Sequence, residues 1–229
     1  MCGRINVSAD PLAEIYLELL DQQFSGEDRY NVAPTEQVPV IRHSRDGGLV
    51  VRDKRWWLTP YWSKEVSTRY SMFNAKSETL ETSRAYREPF RRRRCVVPVS
   101  GFFEWVKEGE RKLPYYIRPA DGDGLLLAGL WDRWRGAEEV VESFTIITAA
   151  VNDKLAFVHH RQPVMLRRAD LECWLDEASE PEQVRALLSA RLPAPLSAIP
   201  VSTYVSNSRN EGARCIEPIA AVVELGADV

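Results

Sequence analysis

Residues 95–105 read CVVPVSGFFEW. The stretch is rich in β-branched and aromatic side chains, which marks it as a β-type run. Similar runs lie on both sides. VPVIR (38–42) and LVVRDKRWW (49–57) precede it, and PYYIRP (114–119), LLLAGLW (125–131), SFTIITAAV (143–151) and LSAIPVS (196–202) follow. Strands at irregular spacing with few helices between them predict an α+β fold with a curved, mostly antiparallel sheet or barrel-like core. The helical stretches are few. DPLAEIYLELLDQQF (10–24) carries an apolar stripe at Leu12, Ile15, Tyr16, Leu19 and Leu20, with Asp10 as its cap and Pro11 in the first turn. RADLECWLDEA (168–178) and PEQVRALLSARL (181–192) are the other two. A length of 229 residues without repeats or long linkers predicts one domain over 1–229, with 220–229 as a candidate loose tail.

Composition narrows the function. Hydrophobic residues make up 45% and charged residues 28% of the chain, as in ordinary globular proteins. No apolar run reaches the ~18 residues of a membrane span, and no signal region opens the chain, so a cytoplasmic protein is expected. Cys2, Cys95, Cys173 and Cys215 are far apart, which argues against a zinc site or a disulfide framework; no metal and no cofactor are expected. The net charge of −3 excludes a uniformly basic nucleic-acid binder. The charge is uneven, however: RAYREPFRRRR (84–94) holds six arginines against one glutamate, which suits either an anionic ligand on one face or a solvated surface. RWWLTPYW (55–62) sets three of the seven tryptophans beside basic residues. Aromatic faces plus cations suit single-stranded nucleic acid, although a single tryptophan is more often core.

Four positions carry potential chemistry. Cys2 follows the initiator methionine; if Met1 is trimmed, residue 2 presents an α-amine and a thiol two carbons apart, a pair no internal cysteine offers. Glu104 sits among Phe102, Phe103 and Trp105, where lost hydration would raise its pKa toward neutrality, unless strand alternation turns it to water. His159 and His160 account for two of the three histidines. They lie in the apolar frame of FVHHRQPVML (157–166), as acid–base candidates or as structural residues. Asn74, in MFNAKSETL (72–80), alone signals only turn chemistry.

Taken in order, MCGR, YNVAPT, W-x-L-x-P-x-W, FNAKSET, RRCVVPVSGFFEW, AGLWD, FTIIT, HHRQPV and SNSRNEGARCIEPI make the chain resemble the SOS-response-associated peptidase-like (SRAP) family, from residue 2 to about residue 219. The resemblance implies a protein that acts on abasic sites in single-stranded DNA. Its reaction is a covalent thiazolidine crosslink through the N-terminal cysteine, with associated lyase and self-processing peptidase activities. It also implies a monomer without membrane contact that is nucleoid-associated when bound to DNA. Residue by residue, it implies Cys2, Asn74, Glu104 and His159 as the catalytic set. It implies Gly3, Arg4, Asn31, Pro34, Trp62, Lys76, Arg84, Trp105, Thr148 and Arg161 as contacts to the strand or its bases. The chain departs from the family where Lys76 replaces a frequent arginine, Gln162 a methionine and Trp57 a glycine. Lysine keeps the charge but loses the planar fork. Two other classes compete. A thiol hydrolase would use Cys2, His159 and Asn74 and need no free amine. A non-catalytic module would bind intact and abasic strands alike. Neither makes use of the 1,2-aminothiol.

Overall fold

The computed structural model describes residues 2–44 and 46–228. In chain order its elements are β1 (Ile5–Val7), α1 (Ala9–Leu20), β2 (Arg29–Val32), β3 (Gln37–His43), β4 (Leu49–Trp56), β5 (Asn74–Lys76), α2 (Arg87–Arg92), β6 (Arg94–Val99), β7 (Gly101–Glu108), β8 (Arg111–Pro119), β9 (Leu125–Arg135), β10 (Val140–Ala150), β11 (Arg161–Pro163), β12 (Met165–Leu166), α3 (Leu171–Leu175), α4 (Pro181–Ala186), β13 (Leu196–Pro200) and β14 (Val223–Leu225). Strands β10, β4, β3, β6 and β9 pair in sequence, and β9 returns to β10, which closes a five-stranded barrel. Its one parallel pair is β10 with β4. A second sheet runs β14-β13-β8-β7-β1-β2 and is antiparallel throughout. The expected α+β architecture with a barrel-like core is therefore present.

Residues 95–105 belong to both layers. Every residue of β6 is buried, as a continuous apolar run requires when both faces of a strand are covered. Strand β3 meets β6 only at Ile41–Val96, so the part containing Pro98, which lacks a backbone donor, has β9 as its one strand neighbour. After Ser100 the chain leaves the barrel and enters the second sheet as β7. Gly101 makes the passage possible: a Cβ there would lie 2.5 Å from the Tyr116 ring and 2.6 Å from the Ile117 carbonyl oxygen. Ser100 ties the crossing to the N-terminus, accepting from the backbone N–H of Ser8 at 2.9 Å and donating its own N–H to the Asn6 carbonyl at 2.8 Å.

The helices are shorter than their apolar patterns predict. α1 starts one residue before Asp10, with Ser8 at the cap position, and stops where Asp21 turns left-handed at φ 51°. Leu12, Ile15 and Tyr16 are buried as expected. The 168–178 stretch is a 3-10 turn followed by the short α3, and the 181–192 stretch is helical only to Ala186. The arginine-rich run contains α2, which the sequence reading missed. Residues 220–228 are not simply a tail, because Val223–Leu225 add to β13 as an edge strand and the Asp228 carboxylate accepts from the Leu192 N–H at 2.9 Å. No helix among the described residues is long and apolar enough to cross a membrane.

Candidate active site

The second sheet brings residue 2 to residue 104. β1 runs antiparallel to β7, with Ile5 opposite Phe102. One step outward, the Phe103 N–H donates to the Arg4 carbonyl at 3.0 Å. The next step of that register sets the Gly3–Cys2 end of the chain beside Glu104. Asn74 arrives from the barrel side. It is the first residue of β5, which pairs in parallel with β10 at Ile146. Its side-chain amide donates to the Cys2 carbonyl oxygen at 2.8 Å, and both residues are buried. His159 comes from the 151–160 segment between β10 and β11. Asn152 caps the 3-10 turn in that segment, and Gln162 holds it by accepting from the Asn152 N–H at 2.8 Å and donating to the Ala190 carbonyl at 3.1 Å. The departure at Gln162 thus has a structural role: an amide takes two backbone partners that methionine could not.

A cavity of about 520 Å³ opens on this junction. Gly3, Arg4, Glu104, Trp105, His159 and Ser206 line it. Burial raises the pKa of the Glu104 carboxyl above the usual carboxylate range. Burial, followed by the charge of Glu104, pushes the Cys2 thiol well up, so it is a neutral thiol. His159 is half-buried and its pKa is lowered, first by burial, with the charges of His160 and Arg161 acting in the same direction and a backbone hydrogen bond with Arg161 opposing them. Its Nδ1 lies 3.0 Å from the Arg161 backbone nitrogen and 3.2 Å from the Arg161 carbonyl oxygen, accepting from the first or donating to the second according to the tautomer. The His159 and His160 rings stack with centroids 4.2 Å apart. No group of three or more His, Cys, Asp or Glu among the described residues could hold a metal ion.

The other positions implied by the resemblance divide. Arg4 donates to Asn31 Oδ1 at 2.6 Å and to the Val205 carbonyl at 2.8 Å, and its guanidinium lies 5.8 Å from the Trp105 ring. Its Nε is buried without a hydrogen-bond partner among the described residues. Asn31 is itself buried and donates to the Asn207 and Asn210 carbonyls, so it braces Arg4. Trp105 Nε1 donates to Ser206 Oγ at 3.0 Å. Pro34 precedes Thr35, a β-branched residue at φ 85° in a tight turn closed by the Glu36 N–H on the Ala33 carbonyl at 3.3 Å. Thr148 is fully buried and sits on β10 opposite Lys76, which is exposed. Arg161 is not a free cation: its fork is held by Glu78 at 2.6 and 2.9 Å and by the Thr148 carbonyl. Lys76, Trp62 and Arg84 do not line the cavity; the Arg84 guanidinium lies 4.2 Å from the Trp62 ring, which is 38% exposed.

The two motifs read for charge and aromatics divide between core and surface, with Arg84, Arg87, Arg91 and Arg92 exposed. Trp56 is fully buried and donates to the Phe73 carbonyl at 2.9 Å, and Trp57 packs on Phe73, so of the three tryptophans in 55–62 only Trp62 is exposed. Arg94 is buried and donates to the carbonyls of Trp174, Phe90, Arg91 and Asp176, while Arg93 pairs with Asp132 at 3.3 Å. Lys107 and Lys112 went unread. They stand directly opposite each other on β7 and β8 and both line the cavity. A strand-turn-strand reading of EWVKEGERKLPYY would have paired them.

Comparison with known proteins follows this geometry. Residues 1–208 match the family model described as SOS response associated peptidase (SRAP). The chain is 33% identical to the abasic site processing protein YedK of Escherichia coli, over 96% of this chain and 100% of that protein. It is 29% identical to the abasic site processing protein YoqW of Bacillus subtilis, over 95% and 99%. A solved structure of a protein from Bacteroides thetaiotaomicron superposes with a TM-score of 0.78 at 26% identity, covering 96% of this chain and all of that one. A phage-related protein from Bordetella bronchiseptica gives 0.69 at 30% identity, with 87% and 94% covered. The chain belongs to the SOS response associated peptidase family.

Proposed function

We propose that this protein processes abasic sites in single-stranded DNA by capturing them covalently through Cys2. The observation that carries the reading is the hydrogen bond from Asn74 to the carbonyl of the buried residue 2, whose neighbour Gly3 lines one open cavity together with the Glu104 carboxyl and the His159 imidazole. In the sequence, Met1 makes the Cys2 nitrogen an amide. Met1 lies outside the described residues, and its hydrolytic removal, by an aminopeptidase or by the chain itself, supplies the amine. Such an α-amine has a pKa of about 7.7–8.0, so a useful fraction is neutral at pH 7.

The amine attacks the open-chain aldehyde of the abasic sugar. Glu104, protonated more readily than an exposed carboxyl, gives a proton to the carbinolamine hydroxyl, which leaves as water. The Cys2 sulfur then adds to the imine carbon. The thiol proton leaves sulfur, the imine π pair moves to nitrogen, and nitrogen finishes as a ring amine. The balance is aldehyde plus aminothiol to thiazolidine plus water. His159 donates a ring N–H to the sugar oxygen during ring opening and serves the associated strand scission. Arg4, Lys107 and Lys112 offer positive charge to the strand at the cavity, with Trp105 beside them. Trp62 and Arg84 offer a further stacking and phosphate contact outside it.

A thiol hydrolase is less consistent with the site. It needs a depressed thiol pKa, whereas that of Cys2 is raised, and it needs Asn74 on the histidine rather than on the Cys2 carbonyl. The test is intact-mass spectrometry of the Met1-trimmed protein after incubation with an abasic single-stranded oligonucleotide. A denaturation-stable adduct with the mass of protein plus oligonucleotide less one water is expected. Absence of any adduct defeats the reading.

A further inference from the structure

Glu78 belongs to none of the expected site positions. It sits on the 3-10 turn Ser77–Thr79 directly after β5, and its carboxylate grips both Nη atoms of Arg161. The same guanidinium reaches the Thr148 carbonyl, so Arg161 is pinned from β5's side and from β10. Arg161 opens β11, and its backbone N–H and carbonyl both lie within hydrogen-bond distance of His159 Nδ1.

We propose that Glu78 is a positioning residue for His159, acting through Arg161: it anchors the residue whose backbone orients the imidazole, and it offsets a guanidinium charge two residues from the ring. The proposal rests on the role given to His159 above. Only 10% of the Arg161 side chain is exposed, so its charge is poorly screened by water and a neighbouring carboxylate matters. Arg161 holds the Glu78 carboxyl down to about 2, so Glu78 stays anionic through the working pH range. The other groups facing His159 are Arg4, Glu104, Lys107 and Lys112 around the cavity and His160 stacked on the ring. With Glu78 neutralised, the uncompensated Arg161 adds to the cations that already disfavour the imidazolium.

The test is the ring-nitrogen NMR titration of His159 in the full chain, assigned by loss of its signals in His159→Gln, together with crosslinking kinetics on abasic single-stranded DNA. Glu78→Gln should move the His159 midpoint further down and change the ring's tautomer balance. It should slow crosslinking about 10-fold, by analogy with the loss of an orienting partner of a metal-bound histidine. Binding of the intact strand should stay unchanged. Arg161→Gln, which removes the opposite charge, should move the midpoint up, and Glu78→Asp should restore most of the wild-type profile. An unmoved midpoint in both charge variants overturns the proposal. So does tighter binding of intact strand by Glu78→Gln at an unchanged pH profile, which would make Glu78 a competitor of phosphate instead. If wild type forms no adduct, the proposed function falls, while the titrations still decide the place of Glu78.

Discussion

The side-chain amide of Asn74 donates to the carbonyl oxygen of Cys2 across 2.8 Å, joining the first strand of the second sheet to the barrel at a buried point. The bond explains why a β5 of three residues is placed in parallel beside β10: it delivers one amide to the second residue of the chain. A backbone carbonyl held from one side fixes the peptide that follows Cys2, and with it the directions of the residue's nitrogen and sulfur. In the proposed reaction Asn74 would therefore act on the nucleophile without touching the reacting atoms.

Asn74→Asp should separate orientation from shape. The carboxylate cannot donate to the Cys2 carbonyl and brings two acceptors face to face. An unsatisfied buried acceptor costs about 1–3 kcal/mol. Urea denaturation should show a loss of that size, and crosslinking should slow by more than stability explains. Full crosslinking speed in a folded Asn74→Asp protein would remove Asn74 from the site.

Glu104→Gln tests the buried carboxyl twice. Its folded pKa is raised, so the native state binds the proton more tightly than the unfolded chain does. Stability linked to this group is fully present below the unfolded pKa of about 4.3 and is lost as pH rises through the folded value. Glutamine has no proton to lose. The variant should therefore gain stability relative to wild type above that window and lose the gain below it, as read by thermal melts from pH 4 upward. Crosslinking should fall by about 10²–10⁴-fold, the usual worth of general acid–base help, while strand binding persists. Identical pH–stability curves for the two proteins would show that the carboxyl is not strained by burial.

Much of the fold was legible in the sequence because it is built from strong β-type runs. The runs at 125–131 and 143–151 became barrel strands because their continuous apolar character demands cover on both faces, whereas those at 38–42 and 49–57 join the barrel as partly exposed strands that carry charged residues. Glu104 was readable from its aromatic neighbours. The split of 95–105 between two sheets was not, because it depends on how closely the Tyr116 ring and Ile117 carbonyl approach Gly101. The fates of the arginines were equally hidden. Arg94 feeds two local carbonyls, of Phe90 and Arg91, and two from Trp174 and Asp176 some 80 positions away, and Arg161 finds Glu78 across 83 positions. Charge type was visible in the sequence, but charge pairing is a tertiary property.

Lys107 and Lys112 make a prediction that no single-residue reading offered. Like charges directly opposite on paired strands destabilise the pair unless an anion lies between them. Replacing both with glutamine should raise thermal stability slightly and weaken single-strand binding. Each lost phosphate contact lowers the salt slope of binding by about 0.7, so two give about 1.4. Fluorescence anisotropy across a salt series measures it. An unaltered slope would mean that the strand does not pass over this hairpin.

The decisive prediction concerns residue 2 and compares two altered N-termini with trimmed wild type. Cys2→Ala with Met1 removed keeps an α-amine but has no thiol. It should give at most an imine that borohydride traps and water otherwise reverses. A protein with a residue retained ahead of Cys2 keeps the thiol but has no free amine there, so it should form neither imine nor ring at that position. Trimmed wild type carries both groups and should give an adduct that survives denaturation without a reductant. A thiol hydrolase would show the reverse pattern, tolerating the extra residue and failing with alanine, and a pure binding module would ignore both changes. Gel and mass analysis of the three proteins with one abasic oligonucleotide distinguishes all of these outcomes. Were the blocked protein to crosslink as fast and as durably as the trimmed one, with Cys2 still amide-linked, ring closure by the aminothiol could not be the reaction.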